Sequence, residues 1–192
     1  MFQVTSGIVN AAADHYTHVV GNGYDWHVNG TIDYSLKGRY SGNLVRDDAV
    51  AFIRGQAAQG PAEKPFFMYV PFQECHSPFQ VDKNYPDLYP TLGTQGAALA
   101  GMVTHTDEMI GDIVDALNAT KLLPNTFIIW MGDNGGPHVD HDPAPSQWDS
   151  TTIERNYPYR GQKHEIFEGG VHVAGFVYSE LLPKQVHTDP CC

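Results

Sequence analysis

Two apolar runs separated by one amphipathic stretch constrain this chain more than any other feature. Phe66-Phe67-Met68-Tyr69-Val70-Pro71-Phe72 and Phe127-Ile128-Ile129-Trp130-Met131 are continuous apolar segments of strand length, without polar alternation. Such runs mark strands covered on both faces, as in a parallel sheet between helices. Between them, Met102, Val103, Thr106, Met109, Ile110, Ile113, Val114 and Leu117 recur at spacings of three and four, which predicts a helix ending near Lys121. Strand, helix and strand in that order imply a right-handed parallel crossover. Val171 to Tyr178 reads as a third strand. The expected class is α/β, a mixed or parallel sheet with flanking helices. A shorter helix is expected from Asp47, where Ala49, Val50, Phe52 and Ile53 follow two acids suited to a helix start, and Gly60-Pro61 breaks it. Residues 1–45, rich in Gly, Asn, Tyr and His, read as loops and short strands.

In open sheets of this class, ligands gather beyond the carboxyl ends of strands. Two segments lie there: Gln73-Glu74-Cys75-His76 and Gly132-Asp133-Asn134-Gly135-Gly136. Asp133 and Asn134 offer a hard, all-oxygen pair suited to calcium or magnesium over zinc. The same dipeptide also suits an Asx turn that closes a strand. His76 is placed to donate to an anion or a leaving group, or else is a surface loop residue. In Tyr159-Arg160-Gly161-Gln162-Lys163, Arg160 and Lys163 could hold a tetrahedral oxyanion, by a fork and a point charge respectively; the alternative is a solvated basic turn.

Charge makes that segment matter. The 192 residues hold 11 Lys and Arg against 22 Asp and Glu, a formal net charge of −11. Such a chain repels phosphates, which argues against nucleic acid or a membrane surface as partner. An anionic substrate must therefore be gripped by local cations or a metal. No apolar span of membrane length and no signal peptide is visible. Cys75, Cys191 and Cys192 are too few for a disulfide scaffold. His138-Val139-Asp140-His141-Asp142 has neither zinc-finger nor helical two-histidine spacing and reads as a mobile loop shaping the entrance. Arg46-Asp47-Asp48 reads as structural, its acids meeting the helix dipole. Asn29-Gly30-Thr31 and Asn118-Ala119-Thr120 are glycosylation sequons.

Taken in order, these pieces resemble the type I sulfatases, in particular the arylsulfatase B (N-acetylgalactosamine-4-sulfatase) branch. The resemblance rests on Lys64 to Tyr69 leading into Cys75-His76-Ser77-Pro78-Phe79-Gln80-Val81, and on Gly101-Met102-Val103 with Asp107-Glu108. It continues through Asn125 to Ile129, Asp133 to Gly136, Tyr159 to Lys163, and Phe167 to Val171. The match is clear over 60–183 and weaker over 1–59, so the expected domain is a partial sulfatase catalytic domain over 1–192. It implies an alkaline-phosphatase-like fold and calcium-assisted hydrolysis of sulfate monoesters on a small molecule or a sulfated glycan, in a lysosomal or secreted glycoprotein. It assigns one calcium to Asp133 and Asn134, and sulfate contact to Lys163 and His76, with Arg160 as a lesser substrate contact.

The chain departs from the family pattern in one region. The C-x-P-x-R motif whose Cys becomes formylglycine is not found in the 192 residues, nor is the Lys-x-His segment. Arg46-Asp47-Asp48 stands in the wrong context to be the early Asp-Asp pair of the calcium site. The chain therefore corresponds to the middle of a sulfatase and is expected to be inactive alone. The alternative is a non-catalytic sulfatase-like protein that binds calcium or sulfated glycan. A phosphate-ester hydrolase of the same superfamily would more often place Asp and His there for zinc, and Asn134 argues against it.

Overall fold

A computed structural model describes residues 4–9, 12–60, 65–137 and 156–183. The His138–Asp142 loop, Lys64 and the Cys191-Cys192 pair lie outside the described residues. The chain divides into two compact units, Met1–Thr120 and Lys121–Cys192.

The first unit opens with short hairpins. Strands β1 (Ser6–Gly7), β4 (His27–Val28) and β5 (Thr31–Ile32) form one antiparallel sheet, and β2 (Val19–Val20) pairs with β3 (Gly23–Tyr24). Asn29-Gly30 turns β4 into β5 with φ of 51° and 80°, the double left-handed geometry of a tight hairpin that this dipeptide favours. Helices α1 (Ser41–Ala58) and α2 (Gly93–Ala119) pack together. Leu44, Ala49 and Ile53 on α1 and Ala97, Met102, Met109, Ala116 and Leu117 on α2 are buried. Each large apolar side chain removed from water contributes roughly 1.5–3 kcal/mol. Trp26, His15, His18 and Tyr40 fill the core beneath the hairpins.

Four sequence expectations are corrected here. First, α1 begins at Ser41, so Asp47 and Asp48 lie well inside it rather than at its positive end. Arg46 instead binds Asp47 and reaches Asp112 on α2. Second, Val103 is 52% exposed, on the opposite face of α2 from Met102 and Met109. Third, residues 66–72 form no strand and pair with no described strand. An apolar run signals burial but does not specify a ladder partner. Here Phe66 rests edge-on against Phe52 of α1, while Phe67 and Tyr69 are 76% and 69% exposed.

The fourth correction concerns the second unit. Strand β6 (Ile128–Met131) pairs antiparallel with β7 (Gly175–Tyr178), with Met131 opposite Gly175 and Ile128 opposite Tyr178. The expected third strand is shorter, because Glu168–Val171 forms a helical turn, α3. Two glycines there permit a tight backbone approach that a strand would forbid. No parallel pair occurs among the described strands. The class remains α/β, with the sheet partners differing from the crossover expected.

Candidate functional site

In the second unit, β6 delivers the chain to a turn. Gly132 extends the ladder by donating to Ala174 O at 3.0 Å, and Asp133 is the first residue beyond it. Asp133 is exposed and Asn134 half-buried. The Asn134 amide nitrogen donates to Gly135 O at 3.1 Å, which leaves the amide oxygen as the ligand atom this side chain offers. Gly135 then donates to Gly170 O at 3.0 Å. A Cβ at Gly135 would stand 1.8 Å from Gly169 O, and one at Gly169 would stand 2.1 Å from Gly161 O. Only glycine permits three backbones to approach this closely.

The Arg160–Lys163 loop lies against that turn. Lys163 N donates to Gly136 O at 3.2 Å, and Gly169 N donates to Arg160 O at 2.7 Å. Asn156 spans both segments. Its Oδ1 accepts from Gly136 N at 2.9 Å, and its Nδ2 donates to Gly136 O at 2.8 Å and to Gly161 O at 3.0 Å. Arg160 is exposed, with its guanidinium 4.1 Å from the centroid of the Phe167 ring, a cation–π contact. Lys163 is half-buried, and His164 after it takes a left-handed φ of 77°. A non-glycine residue rarely adopts that region without a surrounding structure that imposes it.

His76 belongs to the first unit. Cys75 before it has φ of 73°, the same uncommon conformation found beside Lys163. His76 Nδ1 lies 2.8 Å from Ser77 O, which fixes it as the donor and makes Nε2 the other ring position. The loop carrying His76 is tied down on both sides. Gln73 Nε2 donates to Ala13 O, Gln80 Nε2 donates to Asp14 Oδ2 at 2.7 Å, and His15 N donates to Gln80 Oε1 at 2.8 Å. Tyr40 donates to Gln80 O at 2.9 Å and stacks on His15 with centroids 5.0 Å apart. Burial pushes the His15 imidazole down to about 4, with the Asp14 charge acting against that, so the ring is neutral. Both Glu74 carboxylate oxygens are buried, with the Tyr40 hydroxyl and the backbone of Gln73 and Glu74 beside them. That burial pushes its carboxyl up to about 7.

The sequence-selected residues thus fall into two groups, each described by itself. Asp133, Asn134, Arg160 and Lys163 lie on two segments fastened together in the second unit, and His76 sits on a braced loop in the first. Asn29 and Asn118 are both exposed, on the hairpin turn and in the last turn of α2. Among the described residues, no group of three or more His, Cys, Asp or Glu side chains is arranged to hold a metal ion. Asp133 and Asn134 fit a hard cation by chemistry and would supply two of the roughly six to eight oxygens that calcium takes. Sequence reasoning missed Asn156. It stands four residues before Arg160 with no charge or periodicity to mark it.

Comparison with known proteins places these features in context. A family profile described as Sulfatase matches residues 6–190. Arylsulfatase J of Mus musculus is 31% identical over 192 residues, covering 96% of this chain and 29% of its own. N-acetylgalactosamine-6-sulfatase of Homo sapiens is 30% identical over 154 residues, covering 72% of this chain and 26% of its own. Among solved structures, Ps i-CgsB in complex with k-i-k-neocarrahexaose superposes with a TM-score of 0.76 at 21% identity, covering 94% of this chain and 40% of that one. The PsFucS1 sulfatase from Pseudoalteromonas sp. gives a TM-score of 0.57 at 27% identity, covering 73% of this chain and 25% of that one. The chain therefore spans 29% and 26% of the length of these two curated relatives.

Proposed function

The chain belongs to the sulfatase family, and from that premise we propose that its residues form part of the active site of a sulfuric ester hydrolase acting on sulfate monoesters of sugars with the help of calcium. The observation that carries the reading is the fastening of the Asp133–Gly136 turn to the Arg160–Lys163 loop through Lys163 N, Gly136 O and Asn156. It holds a pair of oxygen donors and a lysine on adjoining segments, as a cation-assisted grip on an oxyanion requires.

Asp133 and Asn134 would hold the calcium through their side-chain oxygens. The ion, when bound, polarises a sulfate oxygen and offsets charge that builds in the transition state. Lys163 contributes a second positive charge to the sulfate, in a chain whose overall charge of −11 otherwise repels it. His76, whose Nδ1 donates to Ser77 O, is assigned as a sulfate contact by the family resemblance, and it can donate from Nε2 only as the imidazolium. Arg160 stacks on Phe167 and serves as a lesser contact. Attack on sulfur is assigned to no residue here, since C-x-P-x-R is not found within these 192 residues. The two exposed sequons fit a protein that reaches a lysosome or the cell exterior.

Titration calorimetry of the purified chain with calcium chloride and then sodium sulfate tests the reading. Calcium binding is expected to weaken at least tenfold in Asp133→Asn, and sulfate binding to be lost in Lys163→Ala. Unchanged affinities in both variants would overturn the assignment. The 192-residue chain is also expected to show no turnover of an aryl sulfate. Calcium-dependent turnover would show that a nucleophile lies within it after all. Should the longer enzyme containing these residues bind a sulfated oligosaccharide without cleaving it, the binding-protein alternative replaces the hydrolase.

A further inference from the structure

We propose that Asn156 is the positioning residue of this site: one carboxamide sets the spacing between the oxygen ligands of the cation and the ammonium of Lys163. The inference rests on the reading above and deepens it. A carboxamide has one carbonyl oxygen and two N–H groups, and Asn156 uses all three. Oδ1 accepts from Gly136 N and Nδ2 donates to Gly136 O, so the side chain pairs with one residue's N–H and C=O as a neighbouring strand would. The remaining N–H reaches Gly161 O, inside the loop that carries Lys163. Gly136 O receives a further bond from Lys163 N, so the carbonyl that Asn156 holds is the one Lys163 is built upon.

No other residue type reproduces this pattern at the same reach. Aspartate keeps the acceptor, loses both donors and sets a negative oxygen against Gly136 O and Gly161 O. Serine is too short to span both segments, and glutamine displaces the amide by one methylene. Asn156 touches neither cation nor substrate in this scheme. It acts through Gly136 and Gly161, whose left-handed φ of 90° lets the loop bend toward it.

The test compares the 192-residue chain with Asn156→Ala, Asn156→Asp and Asp133→Asn. Calcium affinity is read by calorimetry, and the backbone amide resonances of Gly136 and Lys163 are read by NMR. Asn156→Ala is expected to weaken calcium binding roughly ten- to hundredfold, the range for residues that orient metal ligands. It should shift the Gly136 and Lys163 amides together. Asn156→Asp should show the same amide shifts at neutral pH and partial recovery as its carboxyl is protonated, because a donor then returns. A residue that merely aids stability would lower the melting temperature without this pH-dependent recovery.

If Asp133→Asn weakens calcium while both Asn156 variants leave affinity and amides unchanged, the positioning inference is overturned and the metal reading stands. If Asp133→Asn has no effect, the metal reading fails. Coupled amide shifts in Asn156→Asp with pH-dependent recovery would then still support the clamp on Lys163, and their absence would overturn it. The aspartate variant, nearly the size of asparagine, serves should the alanine variant not fold.

Discussion

Glu74 and His15 lie within the same bracing of the His76 loop, and burial drives their protonation equilibria in opposite directions. The Glu74 carboxyl is held up at about 7 against an ordinary value of 4.5. The folded state therefore favours its protonated form. This contribution is complete below the ordinary value and is lost as pH rises through 7, about 3 kcal/mol at most. His15 is held down at about 4 against 6.5, so its neutral form is favoured and stability falls as pH drops from the ordinary value through 4. Thermal melts of the chain between pH 4 and 8 should show loss on both sides. The two windows overlap and oppose one another, so Glu74→Gln should remove the fall toward pH 7 and leave the His15 loss spread over the whole acid side. An unchanged alkaline limb would refute the buried-acid account. At this scale the sequence was partly informative. Charge scarcity drew attention to Arg160 and Lys163, and ligand chemistry to Asp133 and Asn134. Gln73, Gln80 and Asn156 were invisible, because a carboxamide that braces a backbone has the same local signature as one in a solvated loop. Gln80 and His15 stand 65 positions apart, beyond any local pattern.

Helix α2 shows how far periodicity carries at the level of elements. Met102, Met109, Ala116 and Leu117 fall on its buried face as their spacing requires, while its first two turns from Gly93 have too few large apolar residues to be read in advance. Residues 66–72 and the β6–β7 pair show the limit: Phe67, Tyr69, Ile129 and Met131 are exposed, so the expected burial on both faces is not found, and strand direction and pairing depend on distant chain. Two glycines on α2 offer a contrast that tests its packing. A Cβ at Gly101 would stand 2.9 Å from Tyr85 Cβ and 3.2 Å from Pro86 N, while one at Gly111 meets nothing within 4 Å. Gly111→Ala should stabilise the chain by roughly 0.5–1 kcal/mol through helix propensity. Gly101→Ala should destabilise it by about 1–3 kcal/mol, because overpacking outweighs the same gain. Urea denaturation of both variants measures this, and equal signs would contradict the observed contact of α2 with residues 85–86.

For the molecule as a whole, sulfatase membership and a net charge of −11 pull against one another. On the proposed function, a sulfated glycan would meet a repulsive field and be held by a few local cations. Added salt screens the long-range repulsion first. The association rate of a sulfated oligosaccharide is therefore expected to rise as ionic strength goes from about 10 mM to about 100 mM, measured by stopped-flow fluorescence. A monotonic fall would mean that local cations dominate the encounter.

The second unit also has a closure written into its connectivity. Met131 and Gly175 face each other in the β6–β7 ladder, and Asp133, Asn134, Asn156, Arg160 and Lys163 all lie on the chain between them. The ladder is the neck of a loop of about forty residues, whose closure costs on the order of 3 kcal/mol in chain entropy. Closure of that neck brings the turn and the lysine loop into one small unit, and opening of the ladder would cost them that shared frame.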